Sequence, residues 1–551
     1  MQSRRSFFGA AGMGALSAGT LVSSGTGCGQ ETRRPSILLV ITDDQGYGDL
    51  GCHGNSDIAT PRLDALAAES VEFTHFQVCP VCAPTRASLM TGRYNYRTCA
   101  IDTWKGRAMM HPDELTIADL LHDEGYRTGI FGKWHLGDCY PMRTVDHNFD
   151  ESVVHRGGGL CQPSDFPANT YFDPILIHND ETEKYTGYCM DVYTDEAIKF
   201  IRDNSSEPFF VYLPTNTPHD PLQVPEEYIA PYREKGLSEG TARLYGMITN
   251  IDDNMGRLLY TLDELNIAQN TIVIFMSDNG GWQVTDDRYR ADLHGAKGQV
   301  YDGGIRVPFF IRWPERLTGG LKVDRIAAHI DIMPTLLAAC GVPVPDDRKI
   351  DGVSLMALLT GSADNWKDRI IFTQWHRGDE PELYRCFAAR SQRYKLLQAQ
   401  GAGENYDAPP EFRFELYDME NDPFEKNDIS RAEPDVLREL KTAYEAWFRD
   451  VSATRGYDPP KIVVGTAKEN PVILTRQDWR GSKSWSDLDH GWWEIEVAQP
   501  GAYDILIRFT DTMQPEEEVA FSWNGVTYRA PVHRGIRAYS LHIPDLALIH
   551  I

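Results

Sequence analysis

Four oxygen-bearing side chains stand in two doublets, each directly after a short apolar run: Asp43, Asp44, Asp278 and Asn279. Carboxylate and amide oxygens are the ligands that hard divalent cations prefer, whereas zinc is usually held by His and Cys clusters. Helix capping readily explains one Asp at a strand-to-helix turn, but it explains two separate doublets less well. The doublets therefore predict a metal site that takes Ca²⁺ or Mg²⁺.

Basic and imidazole side chains follow two other apolar runs. Lys133 and His135 follow the run that ends at Phe131, and His219 follows the run that ends at Leu213. Lysine can bind an anionic group, and histidine can gain or lose a proton near neutral pH. Taken singly, each also fits a solvated surface charge or a structural histidine. The pattern predicts a catalytic site if these runs end at the same edge of one sheet.

The elements that must position these residues alternate along the chain. Apolar runs at 36–42, 128–131, 208–213 and 271–277 alternate with segments of helical period at 61–70, 114–125, 194–204, 242–265 and 436–451. Continuous apolar runs of this length are typical of strands buried on both faces of a parallel sheet, and ligands bind at the carboxyl ends of such strands. The sequence predicts a large α/β domain at 35–455, in which helices cover both faces of a mostly parallel sheet.

The pattern changes after a Gly- and Pro-rich linker at 456–460. Short β-rich segments follow at 492–497, 502–509 and 519–528, and Asn524-Gly525 is a typical two-residue hairpin turn. These features predict a small β-rich accessory domain at 461–551.

The N-terminus has the features of a twin-arginine export signal with a linker, over residues 1–34. Arg4 and Arg5 precede a small and apolar stretch at 9–22, and Cys28 is a candidate for lipid attachment. Past residue 35 no apolar run is long enough to span a bilayer. We therefore expect a periplasmic or other extracytoplasmic protein that uses the export machinery. The net charge of −26 argues against a nucleic-acid partner.

The segment from Cys82 to Arg93 reads CAPTRASLMTGR. It resembles the signature of the type I sulfatases, C-x-P-S-R-x-x-L-x-T-G-R, with Thr85 in place of the usual Ser. Further blocks similar to that family lie in the family's order at 43–55, 132–137, 218–225, 277–281 and 295–308. The resemblance spans residues 35–455 and implies the alkaline-phosphatase-like fold.

The resemblance implies a role for each matching position. Cys82 is converted to formylglycine by a maturation enzyme, and its hydrate attacks sulfur while coordinating the metal. Arg86 orients the hydrate, Lys133 and His135 bind its hydroxyls, and His135 takes the proton that starts sulfate release. The implied metal is Ca²⁺, with Mg²⁺ as the alternative, and its implied ligands are Asp43, Asp44, Cys82, Asp278 and Asn279.

The same resemblance assigns the sulfate to Lys297 and His219, with His219 as the acid that protonates the departing alkoxide. Candidate substrate contacts lie in loops that could reach the pocket: Trp104, Asp292, His294, Trp375, His376 and Arg377. Indole rings stack on sugars, but core packing explains a Trp at least as well.

Three functions follow from these observations. The first is a sulfuric ester hydrolase that acts on a sulfated carbohydrate or an aryl sulfate. The second is a phosphate or phosphonate ester hydrolase of the same superfamily. The third is a non-catalytic protein that binds sulfated glycans, if Cys82 stays a thiol. The complete catalytic set argues against binding alone, and the preference for sulfate over a phosphate or phosphonate ester rests on the resemblance.

Overall fold

The computed structural model describes residues 33–282, 285, 287–362, 366–403, 409–481, 491–508, 518–523, 526–531 and 538–546. The predicted export signal and Cys28 lie outside the described residues, apart from the last two residues of the 1–34 segment. Among the described residues, every helix is too short or too polar to cross a bilayer.

The strands, in chain order, are β1 Ser36–Thr42, β2 Val71–Phe73, β3 Phe76–Gln77, β4 Arg127–Lys133, β5 Glu151–His155, β6 Ile175–His178, β7 Glu181–Lys184, β8 Phe209–Pro214, β9 Thr271–Ser277, β10 Phe309–Arg312, β11 Lys322–Val323, β12 Ala327–Ala328, β13 Ile371–Gln374, β14 Phe387–Arg390, β15 Tyr394–Gln398, β16 Glu415–Asp418, β17 Ile462–Val464, β18 Ile495–Val497, β19 Gly501–Arg508, β20 Glu518–Trp523, β21 Val526–Pro531 and β22 Ala538–Leu546. The α-helices are α1 Pro61–Ala68, α2 Cys82–Thr91, α3 Asn95–Thr98, α4 Ile117–Asp123, α5 Cys189–Asp203, α6 Glu226–Glu234, α7 Glu239–Glu264, α8 Asp302–Ile305, α9 Ile332–Cys340, α10 Met356–Leu359 and α11 Pro434–Ser452. Short 3-10 helices lie at Gly51–His53, Thr144–His147, Ala268–Asn270, His329–Asp331 and Arg476–Asp478.

Ten of the described strands form one large sheet in the order β11-β2-β10-β9-β1-β8-β4-β5-β6-β7. The five central strands β9, β1, β8, β4 and β5 run parallel, while β10, β6 and β7 pair antiparallel with their neighbours. Every residue of β1 and of β9 is buried. The predicted mostly parallel sheet is confirmed.

Apolar side chains of β1 alternate between two cores, one on each face of the sheet. Ile37, Leu39 and Ile41 pack in a cluster that also holds residues of α2, α4 and α9. Leu38 and Val40 pack in the other cluster, with residues of α1, α5 and α7. Because successive side chains of a strand point to opposite faces, the sheet lies between two helical layers, as predicted.

The predicted elements match the observed ones most closely in the sheet. The strands at 36–42 and 271–277 have the predicted bounds, and the helix predicted at 242–265 is α7. Helix α5 begins at Cys189 rather than at residue 194, because the Cys189 N–H donates to the Tyr171 carbonyl. Helix α4 begins after Thr116, which forms a capping box with Asp119.

The C-terminal part contains several small sheets. Strands β13 to β16 form a four-stranded antiparallel sheet that packs with α11. Beyond it, β17 pairs parallel with β18, while β19 with β22 and β20 with β21 pair antiparallel. The strands from β17 to β22 confirm a small β-rich C-terminal region, which we call the C-terminal module. Its boundaries, like those of the other domains, stay a prediction.

The C-terminal module packs closely against the large α/β body formed around the ten-stranded sheet. Ile462 packs in one cluster with Met109, Cys139 and Met142. The Val463 N–H also donates to a carbonyl of the body, that of Tyr140 at 3.0 Å. The module is therefore attached by a buried apolar contact and by backbone hydrogen bonds.

Gly132 in β4 offers a test of how tightly the central strands are packed. Its φ is +132°, and a Cβ there would lie 2.0 Å from the carbonyl oxygen of Pro214 in β8. At Gly125, φ is +83° and a Cβ would meet nothing within 4 Å. We expect Gly125→Ala to lower the free energy of unfolding by about 1–2 kcal/mol through backbone strain. Gly132→Ala should lower it by about 1–3 kcal/mol more through overpacking.

Urea unfolding followed by circular dichroism measures both losses. Equal losses for the two variants would show that the contact between Gly132 and Pro214 is not tight.

Candidate active site

The two oxygen-rich doublets meet because their strands are neighbours. Thr42 at the end of β1 lies beside Ser277 at the end of β9. Beyond these ends the Asp278 N–H donates to the Thr42 carbonyl at 3.0 Å, and the Asn279 amide donates to Asp44 Oδ1 at 2.8 Å. The chain turns sharply at Asp44, where φ is +69°. The predicted convergence is therefore present in the structure.

Each buried carboxylate of this group pairs with one cation: Asp43 with Lys133 at 2.7 Å, Asp44 with Lys297 at 2.6 Å, and Asp278 with Arg86 at 2.6 Å. The cations come from β4, from the loop after β9 and from α2. Separate elements of the body thus neutralise the acids that β1 and β9 bring together.

The formal charges of the three ion pairs balance, but the carboxylates of Asp43 and Asp278 still repel each other in the buried pocket. Burial, together with the charge of Asp43, raises the pKa of Asp278 to about 6. Burial would also raise the pKa of Asp44, but Lys297 and His219 outweigh it and hold that pKa below its ordinary value. The pocket therefore favours a further positive charge close to Asp43 and Asp278.

The donor atoms at this place fit a divalent cation. Asp43 Oδ1 and Asn279 Oδ1 are buried and accept no hydrogen bond from any described residue. Cys82 Sγ and one carboxylate oxygen from each of Asp43 and Asp278 lie within 4.8 Å of one another. An oxygen-dominated set of this kind suits Ca²⁺ or Mg²⁺.

Cys82 is the first residue of α2, whose ten residues are all buried. Pro84 lies in the first turn, where its missing N–H costs no helical hydrogen bond. A helix amino end stabilises an anion through its free N–H groups and its dipole. Burial raises the pKa of the Cys82 thiol, while Lys133 and Lys297 act against that shift. The position suits a group that must meet a negatively charged ligand.

Thr85, the one departure from the family signature, keeps the hydroxyl that a serine would supply. Its Oγ1 accepts from the Cys79 N–H at 3.0 Å and donates to the Cys79 carbonyl at 3.2 Å. The side chain is fully buried. Thr85 therefore fixes the chain just before α2 and does not face the pocket as a free hydroxyl.

His135 lies two residues beyond Lys133 and is neutral. Its Nε2 donates to the Thr103 carbonyl at 2.8 Å, and its buried Nδ1 has no hydrogen-bond partner among the described residues. Burial, Lys133 and Arg86 hold the pKa of His135 well below its usual range. The unprotonated Nδ1 can therefore accept a proton.

His219 follows β8 and faces Asp44. Its Nδ1 donates to the Asp220 carbonyl at 2.8 Å, which leaves Nε2 at 3.7 Å from Asp44 Oδ2. Burial and the charge of Lys297 lower the pKa of His219 to about 4. An anion bound near Lys297 would offset that charge and raise the proton affinity of Nε2.

Three of the predicted substrate contacts meet around Asp102. The Arg377 guanidinium lies 5.8 Å from the Trp104 ring centre and 5.2 Å from that of Trp375. Arg377 Nη1 is 2.6 Å from Asp102 Oδ1, to which the Trp375 indole also donates at 3.1 Å. A Cβ on Gly298, next to Lys297, would lie 3.4 Å from the Trp375 ring. This aromatic group therefore borders the loop that holds Lys297.

The other predicted contacts lie differently. Asp292 and His294 are exposed on the loop that carries Lys297, and His294 stacks on Tyr301 with 3.9 Å between ring centres. Both ring nitrogens of His376 are occupied, Nδ1 by the Arg377 carbonyl at 2.8 Å and Nε2 by the Glu382 N–H at 2.9 Å. His376 therefore supports a loop, and contact of the others with substrate stays a prediction.

Sequence patterns did not reveal one residue of the active-site wall. Gln477 in the C-terminal module is buried and donates from Nε2 to the Thr103 carbonyl at 2.7 Å. That carbonyl is also the acceptor for His135. A lone Gln in a β-rich tail carries no local signal for this contact.

Comparisons with known proteins give a consistent result. Residues 35–342 match the family model described as Sulfatase, and residues 294–447 match the one described as N-sulphoglucosamine sulphohydrolase, C-terminal. Arylsulfatase A of Homo sapiens is 30% identical, over 80% of this chain and 92% of its own length. The N-acetylgalactosamine-6-O-sulfatase of Bacteroides thetaiotaomicron is 28% identical, over 76% and 94%. Among solved structures, Ps i-CgsB in complex with k-i-k-neocarrahexaose is 29% identical with a TM-score of 0.69, over 77% of this chain and 95% of that one.

One prediction from the active site concerns the hydroxyl of Thr85. Thr85→Val keeps the shape of the side chain but leaves the buried Cys79 N–H without its acceptor, so we expect a loss of about 1–3 kcal/mol in the free energy of unfolding. Thr85→Ser keeps the hydroxyl and should lose less, about 1 kcal/mol for one buried methyl group. Chemical denaturation measures both variants. A loss for Thr85→Ser as large as that for Thr85→Val would contradict the assigned role.

A second prediction concerns the divalent cation. Chelation should lower the melting temperature, because a cation at 100 times its Kd stabilises the folded state by about 2.7 kcal/mol. Added Ca²⁺ should restore it, and Asp278→Asn should shrink the response. Asp252 is the matched control, since it is buried and bonds only to the Arg62 and Leu63 N–H groups in the described part of the chain. Scanning fluorimetry measures the melting temperature of each protein with and without Ca²⁺. If Ca²⁺ raises the melting temperature of Asp278→Asn as much as that of the parent protein, the proposed site is wrong.

Proposed function

The chain belongs to the sulfatase family and is a sulfuric ester hydrolase, and from this premise we propose that it removes sulfate from a sulfated carbohydrate. The proposal includes a formylglycine at position 82, formed by a maturation enzyme, and a divalent metal, Ca²⁺ in preference to Mg²⁺. The observation that carries it is the position of the Cys82 side chain, which lies within 4.8 Å of carboxylate oxygens of Asp43 and Asp278. A modified side chain at this position would be next to the cation.

Two relatives support a carbohydrate substrate over an aryl sulfate. One is named for N-acetylgalactosamine 6-O-sulfate, and the other was solved with a neocarrahexaose. The indoles of Trp104 and Trp375 are only 3% and 5% exposed and pack around Arg377, so the support for a carbohydrate comes from the relatives. An aryl sulfate remains the alternative within the same reaction.

Different residues of the pocket would bind the metal and neutralise the sulfate. A hydrated formylglycine supplies the attacking oxygen and a bound metal polarises the sulfate, if both are present. Asp43, Asp44, Asp278 and Asn279 would hold the metal. Lys133 and Lys297 neutralise the sulfate oxygens, and Arg86 anchors Asp278.

Two histidines, His135 and His219, transfer the protons of the reaction. His135 accepts one at Nδ1, because its Nε2 is occupied by Thr103. His219 delivers one from Nε2 to the departing alkoxide. Bound sulfate would offset the charge of Lys297 and thereby raise the pKa of His219, so that this histidine becomes an acid only when substrate is present.

We also propose export to the periplasm or another extracytoplasmic place through the twin-arginine machinery, with Cys28 as a candidate lipid anchor. The support is the sequence alone, namely Arg4 and Arg5 followed by a small and apolar stretch.

The test of the function is anion release from sulfated saccharides, an aryl sulfate and a phosphodiester. Protein co-produced with a formylglycine-generating system and loaded with Ca²⁺ should release sulfate from one saccharide class. Cys82→Ala should lose at least about 10³-fold in rate, because the nucleophile is gone. Peptide mass spectrometry shows the aldehyde at position 82 in the parent protein. No sulfate from any ester, with the aldehyde present and the metal bound, would contradict the proposal.

His219→Gln separates the acid from the rest of the site. A sugar alkoxide is a poor leaving group and needs a proton, so we expect a loss of about 10²–10⁴-fold in kcat on a saccharide sulfate. A nitrophenyl sulfate has a good leaving group and should lose much less. Equal losses on both esters would place His219 in sulfate binding alone.

A further inference from the structure

The loop that supports His135 is covered by the C-terminal module. Besides the bond from Gln477 to Thr103, the Gly106 N–H donates to the Gln477 carbonyl at 3.0 Å. A Cβ on Gly106 would lie 3.4 Å from Arg480 Cδ. The stem of Arg480 therefore lies against the backbone between Lys105 and Arg107, two buried cations of the catalytic body.

Two arginines of this contact have N–H groups without acceptors. Arg107 is only 1% exposed and donates from Nη1 to the Tyr457 carbonyl at 2.6 Å, while its Nε and Nη2 bond to no described residue. Arg480 Nη2 lies 3.2 Å from Asp379, and its Nε and Nη1 are likewise buried without a partner in the described part of the chain. A buried donor without an acceptor costs about 1–3 kcal/mol, and more when it is charged. The two guanidinium groups therefore leave several hydrogen bonds for a ligand.

The charge balance at this place is positive, in a chain whose net charge is −26. Burial and the neighbouring Arg480 lower the pKa of Arg107 to about 10. Burial lowers the pKa of Lys105, and Arg480 and Arg377 contribute to that shift. Asp379 and Asp102 act in the opposite direction, but Asp102 already pairs with Arg377 at 2.6 Å. Among the described residues, Asp102 and Asp379 are the carboxylates that act on both Lys105 and Arg107.

The cluster is open to solvent on one side and lies close to the catalytic centre. The side chains of Arg480, Arg377 and Asp379 are 11%, 19% and 58% exposed. Lys105 is two residues from Thr103, the acceptor for His135, and two residues of chain span at most about 7 Å. A group on a sugar ring next to the reacting one could reach this cluster.

We propose that Lys105, Arg107, Arg377 and Arg480 form a second anion subsite, which binds a carboxylate or a second sulfate of the glycan while the reacting sulfate lies near Lys297. The inference rests on the proposed function and narrows its substrate to a polyanionic glycan. A carboxylate or sulfate would accept the unused N–H groups of both arginines, and such charge-assisted bonds are stronger than neutral ones. The C-terminal module would then contribute directly to substrate binding through Arg480.

The test compares three disaccharides that share one sulfated ring. This ring is the one from which the protein releases sulfate fastest in the panel of esters described above. The second ring carries a uronate carboxylate, a hydroxymethyl group made by reducing that carboxylate, or a second sulfate. We expect kcat/KM of the parent protein to be about 10–100-fold higher for an anionic disaccharide than for the reduced one, since each charged hydrogen bond contributes about 1.5–3 kcal/mol. The ratio compared is kcat/KM for an anionic disaccharide divided by kcat/KM for the reduced one. The anionic group that gives the higher ratio, carboxylate or sulfate, is the preferred ligand of the subsite.

The decisive variant is Arg480→Gln, which should reduce this ratio to about 1–3-fold, mainly through KM. Arg480→Lys should keep part of it. Arg438→Gln is the control, because Arg438 is 72% exposed on α11 and pairs with Asp435, and it should leave the ratio unchanged. A melting curve for each variant shows that the fold is retained.

A second readout does not depend on turnover. Calorimetry with the Cys82→Ser protein and the anionic disaccharide should show a Kd that rises about tenfold in the double variant with Arg480→Gln. If the ratio and the Kd stay unchanged in the Arg480→Gln proteins, or if the parent protein does not prefer an anionic arm, the subsite is overturned. If no arm releases sulfate, the proposed function fails, and calorimetry alone then decides on the subsite.

Discussion

The structure depends on keeping three buried carboxylates together. Asp43, Asp44 and Asp278 are brought to one point by neighbouring parallel strands, and each is held by a cation from a different element. Removing one partner of a buried ion pair leaves a charge that costs about 3–5 kcal/mol. The fold of the catalytic body is therefore linked to its electrostatics, since strands, α2 and the Lys297 loop must all be in place for the acids to remain ionised. Two of the cations that neutralise the acids, Lys133 and Lys297, are also the ones that we propose neutralise the sulfate.

Much of the body could be predicted from the sequence because its signals are local. The apolar runs of β1 and β9 are buried on both faces, so their bounds are read directly from the residues. The doublets meet because parallel strands of one sheet end at the same edge, but the sequence does not reveal that β1 and β9 are neighbours in that sheet. Helix α5 shows the limit of such signals, since Thr194 looks like a cap but is a buried interior residue.

The remainder depends on contacts between distant parts of the chain. Trp375 and Arg377 meet Asp102 across 273 and 275 positions, and Gln477 meets Thr103 across 374. Neither hydropathy nor spacing encodes which loop a tail segment will contact. His376 bonds backbone groups with both ring nitrogens, a contact that the sequence does not reveal, and its contact with substrate stays a prediction. Side-chain type alone therefore identified the chemistry, whereas the wall of the pocket required the three-dimensional arrangement.

The contact between Gln477 and Thr103 has a consequence for biosynthesis. A ribosome releases β1, β9, α2 and both histidines long before residue 477 emerges. A nascent or prematurely terminated chain that ends before residue 475 would have Cys82, the acidic doublets and both histidines, and would still lack the second donor to the Thr103 carbonyl, to which His135 also donates. The pocket is therefore completed late in translation, after the segment around Gln477 has been synthesised and has packed against Thr103.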